Sequence, residues 1–421
     1  MDRVDTATPS PAAPGVDIRF GKYRMVQRLA AGGMAHIFLA TLDGPDGFSK
    51  ACVIKRILPE YANLEPFARM FADEAKVAAL LTHPNIVQVF DFGKIDGQYY
   101  LAMEWIQGQS LDRIMRHAAA ANMPLGPRVT VDVGIAMSDA LTYAHAKTLS
   151  DGTPLKLVHR DITPGNVLVS RDGIVKLADF GIVKSSVNLE RTVAGVVKGK
   201  YAYMSPEQIT NRELDHRSDL YSLGIVLYEL STGRRLFKRD TMEATIVAAS
   251  QGDVPPPSRV APGFPPELER ILLKLLAKDP AQRHQTAREL HDDLERYRTA
   301  QHWTSGGREL ATLMATLFPP DASGRVSTAV AVPGSMPGSS SLVGSGVSSA
   351  PQAMPDHALE VQESSALVPT GMLPRSTGTG STTGVIPAPE QPAAPEAFPW
   401  ALAAAAGVAL AGSAVFWLFI A

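Results

Sequence analysis

The chain has 421 residues, 45% of them apolar and 19% charged, enough for one large folded unit or two to three average ones. A net charge of -2 indicates no basic surface for nucleic acid, and a single cysteine, Cys52, excludes an intrachain disulfide and any cysteine-based zinc pattern. Residues 1–19 read as a disordered lead-in with no apolar run of a secretory signal. The runs "KYRMVQRLA", "AHIFLAT", "KACVIKRIL", "IVQVFDFG" and "QYYLAME" then read as strands, short and apolar, broken by Gly, Asp-Gly and Pro. One helix interrupts them, "EPFARMFADEAKVAALL", whose Phe67, Met70, Phe71, Ala75, Ala78 and Leu81 share a face. After about residue 109 the pattern turns mostly helical: "RVTVDVGIAMSDALTYAHA" spaces Val129, Val133, Met137 and Leu141 at helical intervals, and "SDLYSLGIVLYELSTG" and "PELERILLKLLAKD" follow. A small strand-rich lobe ahead of a larger helical one predicts the α+β class.

Residues 20–300 therefore form the folded domain and 301–318 a helical extension of it. Residues 319–399 are dominated by Pro, Gly, Ser, Thr and Ala, as in "AVPGSMPGSSSLVGSGVSSAPQ", and predict a disordered linker with a reach of roughly 50 Å. Residues 400–421, "WALAAAAGVALAGSAVFWLFIA", carry no charge and as a helix would cover roughly 33 Å. Trp400 and Trp417 near its ends suit bilayer surfaces, so the segment predicts a transmembrane helix at the C-terminus with the folded domain in the cytoplasm. Ala403, Gly407 and Ala411 have the small-residue spacing that allows a homodimer through this helix.

Several short motifs lie in order along the folded part: "LAAGGMAHIF" (29–38), "CVIK" ending at Lys55, Glu74 in "FADEAKVAALL", "VHRDITPGNVLVS" (158–170), "KLADFGIVK" around Asp179, "MSPEQ", "RSDLYSLG" and "LAKDPAQR". As an ordered set, from Phe20 to about Arg298, they resemble a bacterial-type (Hanks-type) serine/threonine protein kinase of the eukaryotic-like superfamily. The resemblance implies a two-lobed fold, ATP and Mg²⁺ (with Mn²⁺ as a substitute) as cofactors, and protein substrates bearing Ser or Thr hydroxyls.

It also implies roles for particular residues. Leu29, Ala30, Ala31, Gly32, Gly33, Met34, Ala35, His36 and Ile37 would form the loop that closes over the ATP phosphates. Ala30 and Ala35 stand where the family usually has its first and third glycines. Lys55 would orient the α- and β-phosphates, paired with Glu74. Met103 would back the adenine slot, Glu104, Trp105 and Ile106 would form the hinge, and Leu168 part of the floor. Asp161 would be the catalytic base, and Asn166 and Asp179 would hold metal. Glu207 with Arg283, and Asp219, would brace the large lobe.

The resemblance has one gap. Many such kinases place a lysine two residues after the base, and here that position is Thr163. The threonine expected before Tyr-Met of the later segment is Lys200, in "VVKGKYAYMSPEQ", so the two residue types are exchanged. The expectation is that Lys200 supplies the displaced charge and Thr163 the hydroxyl. Arg160, before the base, implies pairing with a phosphate on the activation loop, with Thr192 the first candidate and Ser185 and Ser186 the others. The reading is a membrane-tethered kinase. The alternative is a catalytically weak nucleotide-binding switch or scaffold, to which Ala30, Ala35 and Thr163 point.

Overall fold

The computed structural model describes residues 18–31, 34–180, 200–304 and 307–319. The strand-rich lobe consists of β1 (Ile18–Phe20), β2 (Tyr23–Ala31), β3 (Ala35–Asp43), β4 (Ser49–Ile57), α1 (Pro59–Ala62), α2 (Glu65–Ala79), β5 (Val89–Ile95) and β6 (Gln98–Glu104). Its strands make one antiparallel sheet in the order β1-β2-β3-β4-β6-β5. Side chains two apart share a face of a strand. Cys52 and Ile54 of β4 therefore enter one apolar layer with Phe20, Tyr23, Met25, Phe38 and Tyr100. Val53 and Ile57 enter the opposite layer, against Phe71 and Ala75 of α2, and Lys55 lies between them on that side. Helical spacing puts Glu74 on the same side of α2 as Phe71, Ala75 and Ala78. The lysine and the glutamate are thus brought face to face by two different periodicities.

The second lobe begins with β7 (Gly108–Ser110), α3 (Leu111–Ala120) and α4 (Gly126–His145), followed by β8 (Val167–Ser170) and β9 (Val175–Leu177). β7, β8 and β9 form a small antiparallel sheet. After it come α5 (Pro206–Ile209), α6 (Arg217–Thr232), α7 (Met242–Gln251), α8 (Pro257–Val260), α9 (Pro266–Leu275), α10 (Ala287–Ala300) and α11 (Arg308–Leu317). Helix α6 is buried without a break from Ser218 to Leu230. It runs through the centre of the large core, which is why apolar residues occur on every side of it, with Ser218, Asp219, Ser222 and Glu229 as buried polar groups among them.

Helix α11 packs on α3, α4 and β8, burying Leu310, Leu313, Met314 and Phe318. The turn before it crosses the β8–β9 turn at two glycines with positive φ, Gly307 (67°) and Gly173 (80°). A side chain at Gly173 would collide with the Gly307 carbonyl, so the crossing needs glycine there. Among the described residues no helix is long and apolar enough to cross a membrane; the span expected at 400–421 lies outside them, as does the linker beyond Pro319.

Candidate active site

Lys55 leaves β4 on the α2 side, and its amine donates to Glu74 Oε1 at 2.9 Å and to Asp179 Oδ1 at 3.2 Å. The three side chains are between 13% and 17% exposed, so the charges meet largely out of water. Burial alone would lower the Lys55 pKa, but the carboxylates of Asp179 and Glu74 outweigh it and hold the amine above its ordinary value. Burial raises Glu74 above the ordinary carboxylate range in spite of Lys55, and the nearby Asp179 carboxylate adds to the rise. The result is a charged lysine held between two carboxylates at the junction of the lobes.

Asp179 is placed by backbone bonds from both sides. Val87 N–H donates to Leu177 O at 2.9 Å, Leu177 N–H to Asn85 O at 2.8 Å, and Ala178 N–H to Asn166 O at 2.8 Å. The aspartate itself sits at φ 51°, a conformation uncommon outside glycine and concentrated where function requires it.

The loop before β8 is braced from below by Asp219 of α6. This fully buried carboxylate accepts from His159 N–H (2.8 Å) and Arg160 N–H (2.9 Å), and its Oδ2 lies 2.9 Å from His145 Nε2. Arg160 is thereby held at φ 66°. Asp161 follows, its N–H donating to His159 Nδ1 at 3.2 Å. Asn166 Nδ2 donates to Asp161 O at 2.6 Å, while its Oδ1 is buried with no partner among the described residues. An orphaned amide oxygen near a carboxylate suits a hard cation that takes its other oxygens from phosphate and water. Asn166 and Asp179 therefore fit a Mg²⁺ ion. No group of three or more His, Cys, Asp or Glu that could hold a metal occurs among the described residues.

Opposite Asp161 stands Lys200, whose Nζ donates to Asp161 Oδ2 at 2.8 Å. It precedes a single 3₁₀ turn, Tyr201–Tyr203, and α5, which a Ser205–Gln208 capping box starts. Tyr203 Oη donates to Glu229 Oε2 at 2.8 Å, and Gln208 Nε2 donates to Arg160 O at 3.1 Å. Glu207 of α5 accepts from Arg283 Nη1 and Nη2 at 2.7 and 2.9 Å.

Beside these charges, Ile37, Val53, Met103, Ile106, Leu168 and Ala178 are buried in one apolar cluster against which Leu29 packs, the residues expected around the adenine. Ala30 and Ala31 pair with Ile37 and His36 across β2 and β3, and Met34 O accepts from Leu58 N–H. Gly32 and Gly33 lie outside the described residues. His36 does not join the slot. Its ring lies edge-on to Phe38 in the other layer of the sheet, because strand alternation turns it away from Ile37. Glu104 keeps its side chain on Lys176 and the Gln88 N–H, and its own N–H on Gln88 O.

Arg160 Nε and Nη1 are buried and have no hydrogen-bond partner among the described residues; a guanidinium suits an anion. Thr192, Ser185 and Ser186 lie outside the described residues. His145, Gln208 and Arg235, which bonds Tyr203 and Glu229 and reaches Asp112, are functional supports that the motif reading passed over. Of these, only His145 left a sequence signal, a lone histidine at the end of an apolar helix.

A lysine held by a helix glutamate, a braced His-Arg-Asp loop and an Asp-Phe-Gly carboxylate occur here in one cleft. The protein kinase domain family matches residues 23–294. The chain belongs to the protein kinase family. The chain is 43% identical over 299 residues to tyrosine-protein kinase MasK of Myxococcus xanthus, covering 71% of this chain and 46% of that protein. It is 35% identical over 278 residues to serine/threonine-protein kinase PrkC of Bacillus subtilis, covering 65% and 40%. It is 34% identical over 313 residues to serine/threonine-protein kinase PknD of Mycobacterium tuberculosis, covering 73% and 45%. The chain thus spans less than half the length of these curated relatives. The crystal structure of the M. tuberculosis PknI kinase domain superposes with a TM-score of 0.50 at 28% identity, covering 68% of this chain and 99% of that one. The kinase domain is of the bacterial Hanks type, with a β-sheet lobe and a helical lobe.

Proposed function

We propose that the chain is a serine/threonine protein kinase that moves the γ-phosphoryl group of ATP to hydroxyls of protein substrates. The observation that carries this reading is the closed Lys55–Glu74–Asp179 cluster beside Asp161 and the orphaned Asn166 oxygen. ATP with Mg²⁺ supplies the phosphoryl group and neutralises its charge. The Lys55 amine holds phosphate oxygens, Asn166 and Asp179 hold the metal, and Asp161 takes the proton of the substrate hydroxyl. The proposal includes a membrane tether at 400–421 and control by phosphate on Thr192, Ser185 or Ser186, which the unpartnered Arg160 nitrogens support.

A second reading, transfer to tyrosine, is favoured by the name of the relative from M. xanthus. Phosphoamino-acid analysis after reaction with labelled ATP separates the two. Phosphoserine and phosphothreonine in wild type, and none with Asp161→Asn, support the first reading; phosphotyrosine alone replaces it by the second. Nucleotide binding without any transfer would instead favour a silent switch.

A further inference from the structure

We infer that Lys200 is the catalytic cation of the transfer step, carried by the segment that anchors α5 and not by the loop that carries the base. This rests on the kinase reading above. The turn from Asp161 to Asn166 contains Ile162, Thr163, Pro164 and Gly165, so it offers no positive charge of its own. Lys55 is committed to Glu74 and Asp179. Lys200 makes a 2.8 Å ion pair with Asp161, with 21% and 7% of the two side chains exposed. It bonds Oδ2, one oxygen of the carboxylate that takes the proton in the kinase reading. The ammonium therefore stands one contact away from the oxygen that reacts.

In the step, the substrate oxygen forms a bond to the γ-phosphorus and its proton passes to Asp161. The bond from that phosphorus to the β-phosphate oxygen breaks, and ADP leaves with the electron pair. Negative charge gathers on the transferring oxygens, and a fixed N–H donor aimed at such charge typically accounts for about 10²–10³ in rate. Lys200, held 2.8 Å from Asp161, is the cation placed beside that charge, while Thr163, whose carbonyl accepts from Asn166 N–H at 3.0 Å, supplies only a hydroxyl.

This placement ties competence to the anchor. Lys200 O accepts from Tyr203 N–H, Tyr203 is fixed on Glu229, and Gln208 is fixed on Arg160 O. The cation reaches the base only while this segment is seated.

The test is Lys200→Cys in the full chain. The one native thiol, Cys52, is buried, so 2-bromoethylamine can rebuild an amine at the introduced thiol while iodoacetamide leaves it neutral. Two quantities are read: kcat, and affinity for ADP with Mg²⁺ and aluminium fluoride, a mimic of the phosphoryl group in flight, against affinity for ADP alone. The expected result is a loss of about 10²–10³ in kcat and a comparable loss for the fluoride complex. ADP affinity stays unchanged, and aminoethylation but not carbamidomethylation returns both. Thr163→Lys combined with Lys200→Thr should recover activity as well. Unimpaired kcat in the unmodified variant, or no recovery with the rebuilt amine, overturns the inference. Asp161→Asn, run alongside, reports on the kinase reading separately: transfer equal to wild type would sink that reading, and the fluoride affinity still reads Lys200 on its own.

Discussion

Glu207→Leu is the substitution whose consequence the structure specifies most fully. Arg283 is fully buried and spends Nη1 and Nη2 on Glu207, while its remaining contacts are the carbonyls of Ala277, Lys278 and Arg217 and the ring of Tyr221 at 4.5 Å. Removing the glutamate leaves a guanidinium that cannot shed its proton among neutral groups. Breaking a buried pair in this way costs about 3–5 kcal/mol. At roughly 2–4 °C per kcal/mol for a domain of about 250 residues, Tm should fall by about 6–20 °C, readable by calorimetry or by fluorescence. Glu207→Leu with Arg283→Met should fall less, because the second change removes the stranded charge.

The pair also has a pH signature. Burial tends to raise the Glu207 pKa, but hydrogen bonds from Arg283 and Ser218 and the guanidinium charge outweigh it and hold the group below its ordinary value. A depressed folded-state pKa gives stability that is present above the unfolded value of about 4.3 and lost as pH falls through the folded one. The single variant should therefore lose less stability on acidification than wild type does. A Tm shift of no more than the scatter between scans, or a double variant no better than the single, would refute this reasoning.

Lys55→Met should cut phosphoryl transfer by at least about 10²-fold, seen in steady-state kinetics with saturating protein substrate. It should also leave Glu74 and Asp179 without a cation, so that added Mg²⁺ raises Tm more than in wild type. Asp219→Asn places an amide against groups that donate, so one or more charge-assisted bonds is lost, at about 1.5–3 kcal/mol each. Its measure is faster hydrogen exchange at the amides of His159 and Arg160, with a lowered kcat. Ending the chain after Gln301 removes α11 and uncovers its seat on α3, α4 and β8. With four buried apolar side chains at about 1.5–3 kcal/mol apiece, about 6–12 kcal/mol as an upper estimate, Tm should drop clearly. An unchanged Tm would mean that α11 contributes nothing to the fold.

Much of the cleft was legible because its chemistry follows short-range periodicity. Lys55 is one step of a two-residue alternation away from Ile54, and Glu74 lies one helical turn from Phe71, so their faces could be read before any contact was known. The resemblance placed His36 in the phosphate loop with Ile37, but strand alternation turns its ring to the other layer, against Phe38. What stayed hidden was set by contacts between residues distant in sequence. Arg235 reaches Asp112 across 123 positions, and nothing local marks either residue. The strands β7, β8 and β9 are three or four residues long, too short for alternation to show. Lys200 was legible only as an anomaly of composition; its 2.8 Å approach to Asp161 comes from the way α5 is anchored.

Helix α11 lies beyond the family match, which stops at residue 294, and its position decides how the rest of the chain is attached. Phe318 sits under Arg113 and beside His117, with ring centroids 4.7 Å apart in the latter pair, and its carbonyl accepts from Arg171 Nη2 at 3.4 Å. Arg171 in turn donates its own N–H to Gln107 O at 2.8 Å, one residue past Ile106 of the nucleotide slot. A pull on the polypeptide after Pro319 would thus be borne first by the Phe318 seat and next by the backbone that joins the lobes. The chain that leaves Phe318 is thereby fastened, through Arg171, to the segment that joins the two lobes.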